Sequence, residues 1–160
     1  MAFNHALAKK LTSPWQLRLW MLTKLPMGLF SGMYIQSLDE NSCVVVLRDR
    51  RWIRNPFGSV FWAVMGMAAE LSTGALVYAY ASGSDVKFIL VGVEAKFFKK
   101  TKGKSYYFCD TGSDVLRSIE LLVNTNDPGI VMLPVTAKDQ AGQVLATFVF
   151  QWQLRKPIIY

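Results

Sequence analysis

The sequence has a single histidine, His5, and two cysteines, Cys43 and Cys109, in 160 residues. With its one histidine in the N-terminal segment, the sequence assembles no serine–histidine machinery, and a histidine-dependent nucleophile is nearly excluded. Two cysteines, each inside an apolar β-prone run, make neither a disulfide framework nor a zinc site, and the expected metal complement is none. Glycine-rich phosphate loops are also missing, which removes nucleotide hydrolysis and dinucleotide redox chemistry. Acidic residues are scarce as well: 11 against 18 lysines and arginines, for a net charge of +7. That excess suits an anionic partner, whether phosphate-bearing coenzyme, anionic lipid or nucleic acid. No recognisable nucleic-acid-binding module accompanies it, so nucleic acid is not expected. Without a charged-then-apolar leader at the N-terminus, the expected compartment is the reducing cytoplasm.

What the chain has in abundance is apolar surface. Hydrophobic residues make up 52% and charged residues 18%. This is more than one domain needs for its own interior, and a second copy covering part of it is the expected remedy. The length fits one domain, residues 1–160, with residues 1–32 as a helical extension.

Leu7, Leu11, Trp15, Leu19 and Leu22 recur at helical spacing, interrupted by Pro14. Ser13 as N-cap and Pro14 at the first position predict a ragged turn and then a helix over Pro14–Thr23, with Trp15 and Leu19 packed on the sheet. A basic helix with tryptophans also has the composition for contact with a membrane surface, the less favoured alternative. Strands are predicted at Met33–Leu38 and Cys43–Arg48 around the turn Asp39-Glu-Asn-Ser42, and at Val86–Phe98 and Ser105–Cys109. The second pair is expected to be antiparallel neighbours joined by a basic turn. A serine-capped helix over Ser113–Val123 ends at the breaker Asn124-Thr-Asn-Asp-Pro-Gly129. Ile130–Ala137 and Gln143–Arg155 form a last hairpin around Asp139–Gly142.

Between these pairs lies an apolar segment, Ser59–Ala81, whose only charge is Glu70. Its length would suit a membrane span, but Ser59, Ser72, Thr73, two glycines and a central carboxylate favour a helix buried on every side within a protein. Strands joined mainly by hairpins give an antiparallel sheet, which must curl to enclose such a helix.

This order of elements, with Asn55-Pro-Phe-Gly58-Ser59 leading into the central helix and Glu70 within it, resembles the hot-dog thioesterase superfamily. It is most similar to the PaaI-like acyl-CoA thioesterases and a neighbouring branch of uncharacterised domains. The resemblance implies an α+β fold, a curled antiparallel sheet around a long helix, in a homodimer or dimer of dimers acting on an acyl-thioester such as acyl-CoA. It requires no cofactor beyond the coenzyme A of the substrate. Asn55 falls at the family's asparagine, Gly58 at its first glycine and Glu70 at its acidic position. The family's His-Gly-Gly step is Phe61-Trp62-Ala63 here, which puts bulk where the acyl group approaches.

On that resemblance Glu70 is the general base or nucleophile and Asn55 orients the water or carbonyl. Uncapped amides of Phe61, Trp62 and Ala63 at the helix start would stabilise the oxyanion. Desolvation beside Met67, Ala69 and Leu71 should raise the Glu70 pKa. The alternative for Glu70 is a structural pairing with a lysine or backbone donor. Ser59 and Thr73 are candidate substrate contacts, with a helix-packing hydroxyl the favoured alternative for Thr73, and Phe30, Met33 and Met65 are candidate acyl-channel residues, although apolar side chains at such positions are more often core. Lys99, Lys100 and Lys102 would face the coenzyme A phosphates or else form a solvated tip.

Overall fold

A computed structural model describes residues 2–125 and 127–156. Three helices open the chain: α1 (His5–Thr12), α2 (Pro14–Lys24) and α3 (Pro26–Ser31). The expected ragged turn before Pro14 is the regular helix α1, because Asn4 caps it. Its Oδ1 accepts the Leu7 amide at 2.9 Å and its Nδ2 donates to Ser82 Oγ at 2.6 Å. Ser13 stands at the N-cap of α2 and Pro14 at its first position, although the serine hydroxyl makes no cap bond. Helix α3 begins with Pro26 and closes on Gly32 at φ 76°, a left-handed C-cap that favours glycine.

The packing face of α2 differs from the expected one. Leu17 and Met21 are buried, whereas Trp15 is 82% and Leu19 67% exposed. Both sides of this helix are apolar, so periodicity alone could not choose between them.

The sheet contains β1 (Tyr34–Leu38), β2 (Cys43–Arg48), β3 (Lys87–Phe97), β4 (Lys104–Cys109), β5 (Gly129–Asp139) and β6 (Val144–Arg155). Its order is β1-β2-β4-β5-β6-β3, antiparallel throughout. Two aspartates build the expected hairpins in the same way. Asp39 Oδ1 accepts the amides of Asn41 and Ser42, and Asp139 Oδ1 those of Ala141 and Gln143. Cys43 and Cys109 stand opposite each other on β2 and β4, both buried and free, and burial pushes both thiols up.

The central helix α4 (Trp62–Ala81) lies across the sheet, packing on β1, β2, β4, β5 and β6. Ala68, Ala69, Ser72, Thr73, Leu76, Val77 and Ala79 have essentially no exposed surface. Gly74 faces the Trp152 ring, at a distance where a Cβ would make only ordinary contact. Among the described residues no helix is long and apolar enough to cross a membrane. The last helix, α5 (Gly112–Thr125), packs on α4, β5 and β6. It starts one residue before the expected serine cap: the Thr111 carbonyl accepts the amides of Asp114 and Val115, and Ser113 is already helical. Asn126, within the breaker segment, lies outside the described residues. The whole is the hot-dog arrangement of a sheet wrapped around one long helix.

One pairing is corrected. Strands β3 and β4 are not neighbours: β3 runs along β6 at the sheet edge, and β4 lies between β2 and β5. The amides of Phe98 and Lys99 still bond the Leu145 carbonyl, so the chain leaves β3 alongside β6 before crossing over. On the way Thr101 accepts the Val60 amide at 3.0 Å, and Gly103 exchanges bonds with Asp49. The lysine segment is therefore a crossover running past the start of α4, not a hairpin tip.

Candidate active site

The loop before α4 is organised by Asn55. Its Oδ1 accepts the amides of Phe57 (3.0 Å) and Ser59 (3.2 Å), its Nδ2 donates to Ser59 Oγ at 3.1 Å, and its carbonyl accepts the Gly58 amide at 3.1 Å. Gly58 adopts φ 73°, the left-handed conformation the turn requires. Asn55 and Ser59 thus hold each other and the loop, with Ser59 buried.

The chain remains extended until Phe61, so α4 starts three residues later than the apolar run. The Phe61 amide donates to the Ile53 carbonyl at 2.8 Å, which removes it from the expected set of oxyanion donors. Val64 and Met65 both donate to the Phe61 carbonyl. The amides of Trp62 and Ala63 are left without an acceptor among the described residues, and no side chain caps this end. Two unpaired N–H groups at the positive end of a 20-residue helix favour developing negative charge.

Two turns further on, Glu70 projects half-buried into a cavity of about 320 Å³. Its walls are Trp20 from α2, Leu25 from the link between α2 and α3, Met67, Leu71 and Tyr78 from α4, and Phe88 and Trp152 from the sheet. Burial alone raises the Glu70 carboxyl above its ordinary range. Lys24 also lines this space, but no ion pair joins it to Glu70 among the described residues. Sequence reasoning placed Glu70 and missed the wall: Trp20, Phe88 and Trp152 come from segments far apart in the chain, and only the sheet order unites them.

Thr73 is not in the cavity. It is fully buried, donates to the Glu70 carbonyl at 2.9 Å and accepts from Trp152 Nε1 at 3.0 Å, so it fastens α4 to β6. A second groove, adjoining at Met67, is lined by Met27, Phe30, Trp52, Asn55, Phe61 and Trp62. Phe30 therefore lies beside the site as expected. Met33 does not: it is buried near Tyr34 and Arg48. Met65 is buried with its Sδ accepting the Thr101 hydroxyl, and it lines the neighbouring pocket at Asn55, Ser59 and Trp62 rather than this groove.

Lys99 and Lys100 border a pocket shared with Asn55, Ser59 and Trp62. Lys100 Nζ donates to the Phe57 carbonyl at 3.2 Å, and Lys99 Nζ bonds Gln143 Oε1. Lys102 lies apart, where its charge helps the Arg54 guanidinium hold Asp49 below the usual carboxylate range. His5 sits across the molecule against Glu40 at 3.1 Å.

A family model described as a domain of unknown function, DUF4442, covers residues 14–154. The chain belongs to the DUF4442 family. No curated protein matches it. Among solved structures, this DUF4442 chain is similar to a Pseudomonas aeruginosa protein of unknown function called a probable thioesterase. The TM-score is 0.75 at 20% identity, over 90% of this chain and 97% of that one. It is similar also to a thioesterase from Haemophilus influenzae, with TM-score 0.69 and 12% identity, over 96% and 98%. A protein with unknown function from Chlorobaculum tepidum gives 0.74 at 14%, over 93% and 99%. At these identities the likeness of the DUF4442 chain to its neighbours is one of fold.

Proposed function

We propose that this protein hydrolyses acyl-thioesters of the acyl-CoA class, with Glu70 as general base. The observation that carries the proposal is Glu70 itself: among the described residues, the one carboxylate in the wall of an otherwise largely apolar cavity, without an ion-pair partner and with its pKa raised by burial. A base poised nearer neutrality takes a proton from water as the oxygen attacks the thioester carbon. The oxyanion forms against the Trp62 and Ala63 amides, the C–S bond breaks, and the proton held by Glu70 passes to the departing thiolate. Lys99 and Lys100 stand beside those amides as point charges for the coenzyme phosphates. Asn55 acts by holding the loop in shape.

Glu70 and Trp62 are eight positions apart on one helix, roughly 12 Å along its axis. A single reacting carbonyl cannot touch both in one chain. The site is complete when a second copy supplies the amides, so the working form is a homodimer. Support comes from the free edge strand. Val93, Ala95 and Phe97 register with Phe150, Phe148 and Ala146 and face the same side as those core residues, yet remain exposed.

Trp62, 58% exposed at the groove mouth, favours a second reading, an acyl-CoA-binding module without turnover. Thiol release from short, long and aromatic acyl-CoA thioesters decides between them. Wild type turns over and Glu70→Gln loses about 10²-fold or more, the contribution of a positioned base. Turnover unchanged in Glu70→Gln overturns the assignment. Binding without turnover in either protein establishes the module instead.

A further inference from the structure

The first 38 residues contain no aspartate or glutamate but include Lys9, Lys10, Arg18 and Lys24. Within them α2 buries Leu17 and Met21 and turns Trp15, Leu19 and Leu22 outward at 82%, 67% and 59% exposure. Positions i, i+4 and i+7 share one face, so these three form a stripe opposite the buried side. The apolar exposure continues on α3 with Phe30, whose ring lies 6.0 Å from Trp52 and whose carbonyl accepts the Trp52 indole N–H at 3.2 Å.

Beside the stripe is a cavity of about 630 Å³, distinct from the one at Glu70 and lined by Arg18, Arg48, Arg50 and Tyr34. None of these arginines is in an ion pair among the described residues. Two are held by rings: Arg48 lies 5.9 Å over Tyr34 and Arg50 5.4 Å over Trp52. Gly32 makes room for the latter, since a methyl at that position would overlap the Arg50 guanidinium. Three arginines lining one cavity that no carboxylate lines form a receptor for a phosphate, which planar donors grip in pairs.

We propose that this face docks the protein on an anionic phospholipid bilayer, with Trp15, Leu19 and Leu22 in the interface and the arginine cavity taking a headgroup phosphate. Exposed tryptophan and leucine on a segment of purely positive charge match both forces that hold an interfacial helix, apolar burial and attraction to anionic lipid. A second copy of the chain fits worse. A two-fold contact would lay stripe on stripe and bring Arg18 and Lys24 close to their own like charges. The proposal is independent of turnover.

The test is co-sedimentation with vesicles of phosphatidylcholine alone and of phosphatidylcholine with a quarter phosphatidylglycerol, at low and high salt. Wild type sediments with the anionic vesicles, and salt weakens the binding. Leu19→Glu, at a position outside the core, abolishes it. Arg48→Gln and Arg50→Gln each weaken it about fivefold, and only on anionic vesicles. Thermal melting verifies that each variant is folded. Undiminished sedimentation of folded Leu19→Glu overturns the proposal. So does inorganic phosphate binding at the arginines with no vesicle binding, which makes the cavity a free-anion site. A fall in solution mass in Leu19→Glu with vesicle binding intact assigns the stripe to a subunit contact instead.

Discussion

At the scale of single residues, Glu70 and Thr73 are three positions apart on α4 and have opposite fates. Glu70 opens into a cavity that raises its pKa, so between the unfolded and folded values the native state binds more protons than the unfolded one. Stability then falls as pH rises through that window. Glu70→Gln removes the penalty: its stability gains on wild type from the ordinary carboxylate range upward and levels off above the folded pKa. Urea midpoints across a pH series measure this, and wild-type turnover rises through the same window. Thr73 instead gives the buried Trp152 indole its acceptor. Thr73→Val leaves that N–H unpaired and lowers stability by about 1–3 kcal/mol, read from denaturant unfolding. The carboxylate was legible because it is the only charge in the 23-residue, largely apolar run Ser59–Ala81. The threonine was not, because its partner lies 79 residues away and nothing local names it.

At the scale of elements, turns and helix ends were legible where their chemistry is local. Asp39 and Asp139 fold their hairpins with their own side chains, and Pro14 opens α2. Helix α3 carried signals that went unread, Pro26 at its start and Gly32 at its end. The side on which α2 packs and the partner of β3 could not be read from local pattern: the first has apolar residues on both faces, and the second depends on where β6 lies. Helix α5 begins under the tightest constraint. A methyl on Gly112 would overlap the Glu40 carbonyl in the β1–β2 turn, and the Gly112 amide bonds the Asn41 carbonyl at 2.9 Å. Gly112→Ala must push helix and hairpin apart and costs about 1–3 kcal/mol, seen as a lower denaturant midpoint.

At the scale of the molecule, two surfaces that leave apolar side chains exposed are the uncovered inward side of β3 and the outward side of α2. The proposed dimer uses the first. Val93→Lys places a charge where the second copy would pack, and light scattering should then give one chain's mass where wild type gives two. Turnover should fall with it, because Glu70 and the Trp62 amide would no longer meet. A wild-type mass of one chain with full turnover would remove the shared site.

Strand β3 has a consequence for how the chain is made. Among the described residues its only neighbour is β6, which follows all the other strands, and their nearest paired residues are Phe97 and Ala146. A chain emerging from the ribosome must therefore hold an apolar strand unpaired while β4, α5 and β5 follow, closing a long loop before that strand finds its place. During this interval Ile89, Val91 and Val93 offer an open template to any other nascent chain. Synthesis paused before β6 should yield aggregates, and release of the last strand should be the step that commits the molecule to its native form.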